Sequence, residues 1–93
     1  MPSHINPRPF RPVSPGEILG DELRARGWTQ KDLAARIGRP AQAVSEIVNG
    51  KKQITAETAL ELAEAFGTSA EFWMNLEVGY RLDLARRRRR RAG

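Results

Sequence analysis

From Ile18 onward the apolar residues recur at spacings of three and four, the repeat of a helix with one buried face. No segment alternates apolar and polar residues over a length useful to a strand, so the pattern predicts an all-α fold of five helices. The first opens at Ser14-Pro15-Gly16-Glu17, which supplies an N-cap, a proline at the first helical position and the glutamate of a capping box. It turns Ile18, Leu19 and Leu23 inward and closes at Gly27. The second opens at Thr29 with Asp32 three residues on, and Trp28 and Leu33 occupy the positions of a hydrophobic staple. Its apolar face is Leu33, Ala34 and Ile37, and Gly38 ends it. The third runs from about Pro40 to Val48 with Val44, Ile47 and Val48 apolar, and stops at Asn49-Gly50. The fourth follows Thr55, is expected to bury Leu60, Ala63 and Phe66, and ends at Gly67. The fifth is capped by Ser69 and is expected to continue to about Ala85.

Outside this pattern the chain changes character. Pro2, Pro7, Pro9 and Pro12 make residues 1–13 an expected extended arm, with Phe10 and Val13 able to pin it to the core. Residues 86–91 are six consecutive arginines, a like-charge run expected to fray as a tail over 86–93. The domain proper is therefore expected over 14–85. At 93 residues there is room for one small core. The formal net charge is +5, but outside the arginine run ten Lys/Arg face eleven Asp/Glu (16 − 6 = 10), so the folded part is about neutral. Charge alone does not point to nucleic acid. No run approaches membrane-spanning length and no apolar signal core begins the chain, so a cytoplasmic protein is expected. With no cysteine and a single histidine, His4, a metal site is not expected, and no nucleophile elbow, phosphate loop or dinucleotide fingerprint is present. Neither enzyme activity nor a cofactor is expected. Glu57, Glu61 and Glu64 read as a solvated helix face, or as one that faces a basic partner.

The second and third helices are short and only a few residues separate them, with Gly38 able to take the left-handed conformation of a sharp turn. That is the geometry that lays a second helix in a major groove, although an ordinary helical hairpin has the same outline. The stretch WTQKDLAARIGRPAQAVSEIVNGKK (28–52) resembles the Cro/lambda-repressor-type helix-turn-helix. More narrowly, SPGEIL (14–19), EIVNGKKQIT (46–55), TALELAEAFGTSAEFWMNL (58–76) and YRLDL (80–84) resemble HigA-type antitoxins of bacterial toxin–antitoxin modules, in colinear order over about 13–85. The resemblance implies a transcriptional autorepressor that also neutralises a small basic RelE-like ribonuclease toxin. A stand-alone repressor of phage type stays open beside it, and an RNA- or ribosome-associated role for the arginine tail stands further off.

Candidate DNA contacts follow from position. Thr29 and Gln30 sit at a helix N-terminus, whose free amides and dipole favour phosphate, and Gln30 matches a phosphate-contacting position of the wider family. Asn49 closes the third helix, and Lys51 and Lys52 just beyond it suit phosphate contact, which adds affinity without sequence information. With Val44 and Ile47 turned inward, Ala41, Gln42, Ser45 and Glu46 face out. Glutamine can pair with adenine, alanine can touch a thymine methyl, and glutamate can accept from cytosine. Glu46 has the competing option of a nearby Arg or Lys. Many relatives carry a hydroxyl cap followed by arginine where this chain has Pro40-Ala41, so the strongest guanine reader is missing and Arg39 is left to reach a phosphate or base edge.

One such unit reads one half-site, so a homodimer on a near-palindromic double-stranded operator is expected. In the fifth helix Phe72, Trp73, Leu76, Tyr80 and Leu84 cluster on one face. Met74, Val78, Leu82 and Ala85 cluster on nearly the opposite one. One face would cover the core and the other, with Met74, Val78 and Leu82, would meet a second copy or the N-terminal arm.

Overall fold

A computed structural model describes residues 12–92, and among them it contains five helices and no strand: α1 (Pro15–Arg26), α2 (Gln30–Ile37), α3 (Ala41–Val48), α4 (Ala56–Phe66) and α5 (Ala70–Ala92). The all-α expectation holds. The expected arm lies outside the described residues as far as residue 11, with Phe10 and His4 in it; Val13 is half-buried in non-helical chain.

The caps form as the sequence implies. Ser14 Oγ accepts the Glu17 N–H while a Glu17 carboxylate oxygen accepts from the Ser14 N–H, and Thr29 with Asp32 repeats the arrangement on α2. Thr55 caps α4 and Ser69 Oγ accepts the Phe72 N–H at 3.0 Å on α5. Each hydroxyl or carboxylate satisfies an amide that has no partner within its helix.

The core consists of Leu19 and Leu23 from α1, Leu33 and Ala34 from α2, Val44 and Ile47 from α3, Ala59, Leu62 and Phe66 from α4, Trp73 from α5, and Ile54 from the α3–α4 loop. Trp73 is fully buried at its centre, and its indole N–H donates to Thr68 Oγ1 at 2.9 Å. Its ring lies 5.7 Å from that of Phe66, which stacks on Trp28 at 5.4 Å. Arg26 closes this corner: it donates to the Phe66 carbonyl at 2.9 Å and lies 4.9 Å from the Phe66 ring centre, tying the end of α1 to the end of α4.

Three expectations are corrected. On α4 the buried stripe is Thr58, Ala59, Leu62 and Phe66, whereas Leu60 is 61% exposed and Ala63 only partly covered. ALELAEAF contains two overlapping stripes; the one through Leu60 is interrupted by Glu64, and the one through Leu62 ends on an aromatic that completes the ring cluster. On α5 the inward line is Trp73 and Glu77, with Ala70, Met74 and Leu76 packed beside it, while Phe72 lies edge-on against Trp73 and is 41% exposed. Met74 thus serves the core, and Val78 (51% exposed) and Leu82 (46%) are left uncovered. Third, α5 does not fray at Ala85 but runs to Ala92. Arginine is a good helix former, successive side chains splay by about 100°, and cations suit a helix C-terminus. Arg86 also lies 3.7 Å from Asp83 one turn back.

Two features invisible to periodicity lock the interior. The buried Glu77 carboxylate accepts the Ile54 N–H at 2.9 Å and the Arg81 Nε–H at 2.6 Å, so α5 holds the α3–α4 loop. At Gly16 a Cβ would fall 2.1 Å from the Ile47 carbonyl oxygen and 2.6 Å from that of Val48. Only a glycine lets the first turn of α1 lie against the last turn of α3. Gly16→Ala should therefore destabilise the protein by about 1–3 kcal/mol, the usual range for overpacking a tight contact. Thermal denaturation reads this directly, and an unchanged melting temperature would refute the close approach.

Candidate nucleic-acid interface

The α2–α3 turn is held by backbone. Gly38 takes a left-handed conformation (φ 71°), the Arg39 N–H returns to the Ala34 carbonyl at 3.0 Å, and Pro40 enters α3 in extended form (ψ 149°). Pro40 provides no side-chain cap, so α3 begins without the hydroxyl contact that secures α2 and α4. The position of α3 comes from its inner face, where Val44 and Ile47 are buried.

The opposite face carries the expected readers in one strip. Gln42 is exposed, Ser45 and Glu46 are half-exposed, and Asn49 is exposed one turn further. The Gln42 amide donates to Glu46 at 3.5 Å, the Asn49 amide donates to Ser45 Oγ at 3.2 Å, and Lys52 Nζ stands 3.9 Å from the other Glu46 oxygen. These are long, solvated contacts that can be exchanged for base edges at little cost. Both options for Glu46 therefore meet in one place: it faces outward and it is paired with Lys52. Ala41 begins the strip, but its methyl is half-turned into the core.

Lys51 and Lys52 are fixed at the end of the strip because both of their N–H groups return to the Glu46 carbonyl, at 2.8 and 3.2 Å. Their amides are used, so only their exposed ammonium groups are available to a phosphate. At α2 the geometry is less open than the sequence suggests. The Thr29 N–H and Oγ1 are both engaged by Asp32, which also sets a carboxylate at that helix end. Gln30 is half-exposed at the first helical position.

Arg39 goes elsewhere. Its guanidinium grips Glu61 of α4 through two hydrogen bonds, at 2.5 and 3.1 Å. That bond holds its pKa above the ordinary value. A pair of residues 22 apart has no signature in local pattern, and the only clue was the helical spacing of Glu57, Glu61 and Glu64.

Two short helices joined by a tight glycine turn, with a polar strip facing out from the second, have the outline of a helix-turn-helix. A helix-turn-helix family model matches residues 20–73. The chain is 44% identical over 68 residues to antitoxin HigA-1 of Vibrio cholerae, covering 72% of this chain and 64% of that protein. It superposes on an addiction-module antidote protein of the HigA family from Coxiella burnetii with a TM-score of 0.80 and 43% identity, covering 84% of this chain and 86% of that one. It also superposes on the Pseudomonas aeruginosa antitoxin HigA solved with the higBA promoter, with a TM-score of 0.78 and 42% identity over 81% of this chain and 83% of that one. The chain belongs to the HigA family of helix-turn-helix proteins.

The α2 cap has a measurable acid signature. The hydrogen bond from the Thr29 N–H, then that from its side chain, lowers the Asp32 pKa below the ordinary carboxylate value, and Arg36 adds to this. A carboxylate with a depressed folded-state pKa contributes stability that is present above about pH 4 and is lost as pH falls through the folded value. Asp32→Asn should therefore lower the melting temperature at neutral pH and lose less than the wild type on acidification. Parallel melting-temperature curves for the two proteins between neutral and acid pH would exclude the effect.

Proposed function

We propose that this protein is a homodimeric operator-binding autorepressor that also acts as the antitoxin to a small basic ribonuclease. One observation carries the DNA part: α3 buries Val44 and Ile47 and turns Gln42, Ser45 and Glu46 outward in a single strip. The relatives support both parts, since one is an antitoxin and another was solved on a promoter. A stand-alone repressor would use the same strip, and only the antidote character of its relatives favours a toxin partner.

In this reading Gln42 and Ser45 read bases and Glu46 contributes with its charge moderated by Lys52. Ala41 offers a methyl, Asn49 closes the strip, and Gln30, Lys51 and Lys52 position the phosphate backbone, while Thr29 joins only by exchanging Asp32 for a phosphate. Arg39 joins only by exchanging Glu61 for a phosphate. The working unit is 14–85, with the proline-rich arm before it and the basic end of α5 as an added source of affinity. No helix among the described residues is long and apolar enough to cross a membrane, and we place the protein in the cytoplasm as a binder rather than a catalyst, with no cofactor.

The test is operator binding in titrated salt, with the DNA upstream of the gene against a scrambled duplex, together with growth rescue from the product of the adjoining reading frame. Replacing Lys51 and Lys52 by alanine should reduce the salt slope by about one for each phosphate that no longer meets a lysine. Gln42→Ala should erode the preference for the cognate sequence by about 1–3 kcal/mol. Equal affinity for both duplexes would end the repressor reading, and a failure to rescue growth would leave a repressor without a toxin.

For the dimer, Val78 and Leu82 form the uncovered apolar line of α5, and Gly79 beside them has open space around it. Replacing Val78 and Leu82 together by aspartate should give a folded monomer in sedimentation. A mass equal to that of the wild type would rule this face out.

A further inference from the structure

The corner between α4 and α5 holds an apolar groove that DNA binding leaves unused. Leu60, the most exposed large apolar side chain among the described residues at 61%, lines it with Ala70 and Met74 around a cavity of about 230 Å³. The groove continues over the carboxylates of Glu61, Glu64 and Glu71. Glu61 is taken up by Arg39, whereas Glu64 and Glu71 are exposed and have no ion-pair partner among the described residues. An uncovered leucine beside two unneutralised carboxylates is a surface for a ligand that is apolar at one point and cationic around it.

We propose that this groove is the docking surface for the basic ribonuclease partner, which would seat an apolar side chain over Leu60 and place lysines or arginines against Glu64 and Glu71. The inference rests on the antitoxin reading above and says where that partner binds. Three observations select this occupant. The acidic rim repels nucleic acid phosphates, so this face is not a second DNA surface. An enzyme whose substrate is a polyanion must itself present cationic surface, which matches the rim. The basic run of a second copy, residues 86–91, contains only arginine, so it could meet the rim but would leave Leu60 bare. No lining residue comes from α2 or α3, so the groove shares no residue with the strip proposed to meet DNA.

The experiment uses the full chain co-expressed with the product of the adjoining reading frame. Two variants are compared with wild type: Leu60→Arg, and Glu64→Lys combined with Glu71→Lys. All three positions are exposed, so both variants should fold, and circular dichroism confirms it. Each should weaken association with the partner about thirtyfold, the loss typical of an interface hot spot, and abolish growth rescue. Preference for the operator over a scrambled duplex and the solution mass of the free protein should stay unchanged. Variants that bind the partner like wild type would overturn the groove and leave the antitoxin reading intact. A wild-type chain that fails to bind the partner would overturn both. A variant whose solution mass falls without the partner would assign the groove to self-association, and the proposal would fall.

Discussion

An eight-residue helix is too short to hold itself together in water, and α3 is such a helix. It lacks even a side-chain cap at Pro40. Its existence and its orientation are therefore imposed from outside, by the seat under Val44 and Ile47 and by the α1 backbone at Gly16 lying against its last carbonyls. Two elements build that seat directly. α2 packs on one side and α1 on another, and the Trp28–Phe66–Trp73 ring cluster joins α4 and α5 behind them.

The charge distribution follows a division of labour. The outward face of α3 has no cation of its own, and Glu46 gives it a negative charge that Lys52 offsets. Positive charge stands at the margins: Lys51 and Lys52 past the end of α3, and residues 86–91 at the far end of α5. Arg39, which by position could have entered the reading face, is drawn into a bidentate pair with α4. Such a pair is only partly exposed, so breaking it for a phosphate exchanges one charge-assisted contact for another.

The local grammar of the chain was legible. Ser14 with Glu17, and Thr29 with Asp32, announced their helix starts because capping needs those residue types at that spacing. The outward face of α3 was legible by elimination, since Val44 and Ile47 could only be core. What could not be read was set by distant partners. Leu60 and Leu62 both fit a helical stripe, and only the docking of α5 decided between them. Met74 read as an outer-face residue until Trp73 and Glu77 fixed the rotation of α5. Gly16 carries no signal in the local pattern, and its reason lies thirty-one positions away (47 − 16 = 31) at Ile47. The arginine run read as a fraying tail because self-repulsion was weighed without the helix that leads into it.

The buried Glu77 carboxylate has a mechanical consequence. By accepting from Ile54 while Arg81 holds it from its own helix, it ties the segment that follows α3 to the middle of α5. In a protein paired along α5, the separation and tilt of the two reading helices would then be a property of the pairing helix, transmitted through one acidic rivet rather than through a flexible linker. The pitch of DNA that the pair can match would be written in α5, far in sequence from any residue that touches a base.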